Sequence, residues 1–315
     1  MISILGGDLQ EHSELSLQKG SQSFALAAQF FSKELYTDVA HLYSWCRVCD
    51  DITDGSTLGF DQNPKGLPRD RVENLKRLSK QSLSGEEQGL DLPFVAFGKV
   101  MRKYQIPWTY AEDLLMGMAH DANGDEITTF EDLQLYCYRV AGTVGLMMCH
   151  LMGLKDVRAL KNAVDLGIAL QLTNIARDLG DDFSVSKVYL PKSSLMQAGI
   201  PPHDLLNQSY AVELESLVKK LLSEADRRYQ SGLRGLKDLP WRCALAVSVA
   251  ASVYRRIGVL VIQKGHASWK TRVCLNRWDK IQACIKGVAL FLTTVPSRII
   301  KPRRVLPIDQ IWRYM

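Results

Sequence analysis

The chain has 315 residues, 46% of them hydrophobic and 23% charged, with a formal net charge of +5. That length buries a deep core in one large domain or two small ones. The weak positive charge suits an anionic surface or a phosphate-bearing ligand. Without interleaved basic and aromatic residues, it argues against nucleic acid as a partner.

From Met1 to Asp8 there is no basic lead and only a short apolar run. No secretory signal is expected, and the chain is read as cytoplasmic. Its seven cysteines are scattered and odd in number, which fits reduced thiols. Cys46 and Cys49 form a lone C-x-x-C with no second pair to complete a zinc site, so they are read as helix-packing residues.

In chain order, the first signal is Gly20-Ser21-Gln22-Ser23-Phe24, a helix start whose hydroxyls and N–H groups suit either an ordinary cap or a phosphate. Apolar residues then recur at helical spacing from Phe24 to Ile52, and again over Phe130 to Leu151, Val157 to Leu179 and Val212 to Leu233. Breaks fall at Gly55 to Asp70, Ser84 to Pro93, Ile106-Pro107, Asn123-Gly124 and around Pro201-Pro202. Period-two runs of Val, Ile and Thr are nearly absent, and no linker or repeat divides the chain. The prediction is an all-α, single-domain protein with a core over about 17–290 and a basic tail over about 297–315.

The end of the first long helix reads Tyr43-Ser-Trp-Cys-Arg47-Val-Cys-Asp50-Asp51-Ile-Thr-Asp54. At about 100° per residue, Tyr43, Arg47, Asp50 and Asp54 form one stripe roughly three turns long, with Asp51 about 80° away. In the third segment, Gly142 and Gly145 interrupt a helix pattern at about 1 kcal/mol each. Helix packing and room for a ligand explain them equally. Tyr136 falls within about 40° of Val140, so its hydroxyl or ring is expected on the same side. The fourth segment repeats the acidic geometry. Gln171, Asn174, Asp178 and Asp182 fall within about 80° of one another, with Asp181 to one side. An acidic helix end or the local pairs of Arg47 with Asp50 or Asp51, and of Arg177 with Asp181, explain either stripe alone. Two such stripes, each following a strongly apolar stretch, call for a shared ligand.

Magnesium takes a few carboxylates plus phosphate oxygens. Metal ions and guanidinium clamps stabilise the charge that develops on a departing diphosphate. An allylic cation left behind would be quenched by water, so the surrounding wall must be apolar and closed. Toward the carboxyl end, the apolar runs Ala244 to Tyr254 and Gly287 to Val295 are shorter than the ~20 residues of a spanning helix. The tail sets Arg298, Lys301, Arg303 and Arg304 beside Ile299, Ile300, Leu306, Ile311 and Trp312, a pattern that fits either a solvated end or peripheral membrane contact.

Together, Ser21 to Phe24, the two acidic stripes, Tyr136 to Gly145, Lys187-Val-Tyr-Leu-Pro191 and Tyr254-Arg-Arg-Ile-Gly258 resemble the squalene/phytoene synthase family, bacterial phytoene synthases most of all. The resemblance spans about Leu17 to Lys264. It implies an isoprenoid-synthase helical fold around a central cavity. The implied reaction joins two geranylgeranyl diphosphates head to head, through prephytoene diphosphate, to phytoene. It further implies that Asp50, Asp54, Asn174, Asp178 and Asp182 hold magnesium, or manganese in its place. Ser21, Ser23, Tyr43, Arg47, Gln171, Arg177 and Tyr254 would contact the diphosphates, with Lys187 and Arg272 on a closing flap. Tyr136 would assist proton removal or steady the cation. NADPH is not expected, although a squalene or diapophytoene synthase acting on farnesyl diphosphate is the near alternative. A catalytically silent binding protein would be expected to have lost some of these carboxylates. Handover of product to a phytoene desaturase is the implied partnership.

Some features depart from the family pattern. Gly20 stands where some relatives carry His. Asp121 lies near where relatives place another acid, and its reach to the cavity stays open. Asp121 to Asp125 has its Gly misplaced for a calcium loop. Because the acids repel one another, Asp50→Asn and Asp178→Asn are expected to abolish turnover while preserving or even raising the melting temperature.

Overall fold

The computed structural model describes the backbone of residues 2–54, 56–57, 60–61 and 67–295, and the side chains of 9–53, 67 and 69–295. The helices in chain order are α1 (Ile2–Gly20), α2 (Gln22–Ala28), α3 (Lys33–Asp54), α4 (Pro68–Ser84), α5 (Leu92–Tyr104), α6 (Trp108–Asn123) and α7 (Phe130–Cys137). They continue with α8 (Thr143–Leu151), α9 (Val157–Ser184), α10 (Lys192–Gln197), α11 (Ala211–Leu233), α12 (Trp241–Lys264), α13 (Ala267–Lys270) and α14 (Arg277–Thr293). Among the described residues the strand content is one two-residue antiparallel ladder, β1 (Ser56–Thr57) with β2 (Phe60–Asp61). The all-α expectation holds.

Local chemistry sets many of the boundaries. Thr129 with Asp132, and Asn276 with Asp279, form capping boxes that open α7 and α14. Asp156 caps α9 by accepting from the N–H groups of Arg158 and Ala159. Gly85 and Gly124 close α4 and α6 in left-handed conformation.

Two of the predicted helices are interrupted. The span Phe24 to Ile52 breaks after Ala28, where the N–H groups of Phe30 and Phe31 bond back to Ala27 and Ala28. Ser32 then starts α3 by accepting from Leu35 N–H at 3.3 Å. Apolar spacing runs unbroken across this turn, so periodicity alone misses it; the capping serine is what separates the rods. Likewise, Phe130 to Leu151 contains a π-turn at Tyr138–Gly142, which inserts an extra residue between α7 and α8.

The 28-residue α9 is the central element, packed on α11, α8, α12 and α13. Buried apolar side chains gather on either side of it, one group around Trp45 and Phe97, the other around Leu172 and Tyr229. Close backbone approach accounts for the glycines near α9. A Cβ on Gly145 would lie 2.6 Å from the Ala163 carbonyl oxygen, and one on Gly167 would lie 2.4 Å from that of Ala141. Cys46 and Cys49 are free thiols inside this packing. Burial pushes Cys46 up to about 12 and raises Cys49 as well, as expected of packing residues rather than reactive thiols.

One helix exceeds what its apolar run suggested. Over an 18-residue window α12 has a mean hydropathy of 1.7, enough by length and composition to cross a membrane. In the fold it lies against α9, α2 and α14, and its Arg255 and Arg256 pair with Asp226 and Asp279. Its apolar composition serves a core helix.

Candidate active site

Along its length α9 runs from grease to acid. Ala159, Ala163, Leu166 and Leu170, followed by Gln171 and Asn174, line a cavity of about 310 Å³. The 15 helical rises from Ala159 to Asn174 extend it along about 22 Å of helix. α2, α8, α12 and the π-turn supply the other walls, nearly all apolar, while Ser21, Tyr43 and Tyr254 add hydroxyls. Asp178 and Asp182 follow on the next two turns, on the flank of α9 that carries Gln171 and Asn174 rather than the flank of Ala159 and Leu166.

The α3 stripe reaches this cavity through Tyr43. Burial pushes the Tyr43 phenol up to about 12 against the pull of Arg47, and its ring stacks on Phe24 at 6.1 Å. Gly20 lets the Tyr43 ring lie close, because a Cβ on it would be 2.2 Å from the Tyr43 hydroxyl oxygen. A histidine at that position would displace Tyr43. Arg47 pairs with Asp51 at 2.7 Å and reaches Asp50 at 3.5 Å, while its buried Nε has no partner. Asp50 is half exposed. The side chain of Asp54, like the tail residues Arg298, Lys301, Arg303 and Arg304, lies outside the described residues. Ser21 lines the cavity while capping α2 through Phe24 N–H at 3.3 Å; Ser23 is half-buried and does not line it.

On α9, Asn174 donates to Gln171 at 3.3 Å, but its buried Oδ1 has no hydrogen-bond partner. Asp178 is gripped by two guanidiniums. Arg177 donates from Nε to Oδ1 at 2.7 Å and from Nη2 to Oδ2, and Arg272 donates to the same oxygens at 2.8 and 3.2 Å. Arg177 thus pairs with Asp178 rather than Asp181, which Arg272 approaches at 3.5 Å. Burial acts to raise Asp178, but these hydrogen bonds and charges outweigh it and hold the carboxyl below its ordinary value. One turn on, the balance reverses. Burial, then the charge of Asp178, pushes Asp182 up to about 7 against the pull of Lys187, with Asp121 and Asp181 adding to the push. Lys187 and Asp182 share a small cleft with Tyr189.

This asymmetry corrects the expected stability of Asp178→Asn. The substitution would strip the partner from two arginines, so it lowers stability; relief of repulsion belongs to Asp182.

Tyr136 is also placed differently from the expectation. The π-turn changes the register, so Val140 lines the cavity and Tyr136 does not. Tyr136 is buried, stacks on Tyr189 at 5.0 Å, and donates to Asp121 Oδ2 at 2.8 Å; Tyr189 donates to Oδ1 at 2.9 Å. Burial, then Asp121, raises the Tyr136 phenol far above its ordinary value. Asp121 does not line the cavity; it accepts from the two phenols and adds to the push on Asp182, which lines the neighbouring small cleft. In sequence Tyr189 stands out only as part of the Lys187 to Pro191 motif. Its place between Lys187 and the Leu190-Pro191 step was the available signal.

Among the described residues no three carboxylate, histidine or cysteine side chains gather closely enough to hold a metal by themselves. The donors nonetheless fit a hard divalent cation that completes its shell with phosphate oxygens. Asn174 Oδ1 lacks a partner, and burial with neighbouring acids disfavours the negative charge on Asp182, a cost that a bound cation would offset.

A family model described as squalene/phytoene synthase matches residues 17–279. A phytoene synthase of Pseudescherichia vulneris is 38% identical over 303 residues, covering 95% of each chain. A 15-cis-phytoene synthase of Pantoea ananas is 37% identical over 288 residues, 91% of this chain and 93% of its own. A dehydrosqualene synthase crystallised with a ligand superposes with a TM-score of 0.77 at 26% identity, over 91% of this chain and 98% of that one. The match opens at Leu17, ahead of the cavity, and runs beyond Arg272, so it takes in every described residue of the site: the chain belongs to the squalene/phytoene synthase family.

Proposed function

We propose that the protein is a prenyltransferase that condenses two geranylgeranyl diphosphates to phytoene through prephytoene diphosphate, a step of carotenoid biosynthesis. The observation that carries this reading is the passage along α9 from Ala159 to Leu170, which line an apolar cavity, through Gln171 and Asn174 at its polar end, to Asp178 and Asp182 on the turns beyond. The similarity to bacterial phytoene synthases supports it. The apolar wall shields a carbocation from water, and the polar end receives the departing diphosphate.

Divalent cations, magnesium foremost and manganese in its place, held by Asp50, Asp54, Asn174, Asp178 and Asp182, would supply charge to the leaving group. Arg47, Arg177 and Arg272, now paired with carboxylates, would exchange those partners for diphosphate oxygens, a bidentate match that guanidinium favours. Ser21, Ser23, Tyr43, Gln171, Lys187 and Tyr254 add further donors. Tyr136, kept protonated beside Asp121, offers a neutral phenol near the acidic end to steady positive charge. The pathway ends in proton loss, so NADPH is not expected to change the product. A cytoplasmic enzyme in peripheral contact with the membrane, and passing phytoene to a desaturase, completes the reading.

Product analysis by mass, with farnesyl and geranylgeranyl diphosphates supplied separately and NADPH present or absent, tests it. Phytoene from the longer substrate, indifferent to NADPH, is expected. Squalene formed solely from the shorter substrate would overturn the chain length, and no diphosphate release from either would leave a silent binder. Ala159, buried at the far end of the α9 face, gives a second test. Ala159→Phe should shorten the accepted chain and lower geranylgeranyl turnover roughly tenfold relative to farnesyl. Competition between the two substrates reads that ratio directly.

A further inference from the structure

The last described helix, α14, is apolar on both sides. Asp279, Ala283 and Gly287 turn inward, with Gly287 so close to α12 that a Cβ would lie 2.7 Å from Val249 Cα. On the outward side Trp278, Ile281, Ile285, Val288 and Leu292 are each between 39% and 73% exposed. Their steps of three and four residues place all five within an arc of about 80°. A helix bathed only in water carries polar residues along such an arc, so this stripe is built to be covered.

Charge identifies what covers it. From Lys270 to Ile308 the sequence holds Lys270, Arg272, Arg277, Lys280, Lys286, Arg298, Lys301, Arg303 and Arg304, against Asp279 as its one acid. Asp279 is buried and paired with Arg256. Around the outward stripe the exposed charges on α14, Arg277 and Lys286, are basic. The 20 residues that follow Val295 extend the same mixture of basic and apolar side chains. An apolar face rimmed by cations, with an exposed Trp at one end, matches the interface of an anionic bilayer, in which such a helix lies flat with its stripe among the acyl chains. α14 also backs α12, which forms a wall of the cavity through Val247, Ala250 and Tyr254.

We propose that the outward face of α14 is a membrane-docking surface that seats the protein on an anionic lipid leaflet, with the cavity wall of α12 directly behind it. For its purpose this rests on the reading above: a hydrocarbon product without its diphosphate has no polar group left and leaves most easily into lipid. The binding itself is measurable without turnover. Full-length protein is mixed with vesicles of phosphatidylcholine, alone or with phosphatidylglycerol, and floated on a density gradient. Binding is expected to the anionic vesicles and to weaken with salt. Ile281→Glu and Ile285→Glu should each lower the bound fraction about tenfold. Neither should change the melting temperature or the release of diphosphate in detergent, because both side chains are exposed and away from the site. Flotation that survives both substitutions but vanishes when Arg298, Lys301, Arg303 and Arg304 are changed to Gln would put the contact in the tail and overturn the proposal. So would a wild-type dimer that either substitution splits without altering flotation, since the stripe would then face a second copy.

Discussion

Asp178→Asn is expected to lower diphosphate release from geranylgeranyl diphosphate at least about a thousandfold, on the order of 4 kcal/mol of transition-state stabilisation. The substitution removes a charged oxygen donor one turn beyond Asn174, the last residue of α9 to line the cavity. It also frees Arg177 and Arg272 from a carboxylate that each contacts through two nitrogens. These guanidiniums are partly solvated, at 15% and 51% side-chain exposure. Their loss of a partner should therefore cost less than a fully buried pair, roughly 1–2 kcal/mol or a few degrees of melting temperature. Single-turnover assays and thermal unfolding of the same preparation measure both effects. Turnover within tenfold of the unsubstituted protein would remove Asp178 from the site.

Asp182→Asn should reduce turnover comparably while moving stability in the opposite direction. In the folded protein this carboxyl ionises near 7, against 3.8 in an unstructured chain. A group whose folded value is raised favours folding fully at a pH below its unfolded value, and that contribution is lost as pH rises toward the folded value. With metal chelated, the unsubstituted protein and Asp182→Asn should melt together near pH 4. They should separate progressively through pH 5 and 6, with the variant more stable by on the order of 2 kcal/mol above pH 7. That figure allows for the partial exposure of Asp182. Added magnesium should raise the melting temperature of the unsubstituted protein more at pH 8 than at pH 5, since cation and proton compete for one carboxylate, and should do less for the variant. Equal melting curves for the two proteins at pH 8 in chelator would contradict the charge balance around Asp182.

The opposite behaviour of these two carboxylates, one helical turn apart, separates what is local from what is not. Helical periodicity is a property of near neighbours, so α11 is legible from its apolar spacing almost to the residue and α9 from its first residue, although α9 runs five residues past Leu179 through its acids. The same rule placed Gln171, Asn174, Asp178 and Asp182 on one face, and Tyr43 with Arg47 and Asp50 on another. It failed where a local choice is made by capping or by tertiary contact. Ser32 divides α2 from α3 without disturbing the apolar pattern, and the π-turn at Tyr138–Gly142 turns Tyr136 away from Val140 and onto Asp121.

By itself, the sequence determined that this is a helical protein with family motifs spread from α2 to α12, and it put the acids of α9 on one helical stripe. Only the tertiary structure decided which acid is neutralised. Arg272 arrives at Asp178 from 94 residues away, while Asp182, carried on the same helix, meets Asp121 and Asp178 instead of a matching pair of guanidiniums. Side-chain direction follows from a repeat of 3.6 residues, but electrostatic balance depends on every charge within several ångströms, and those come from segments that folding alone brings together.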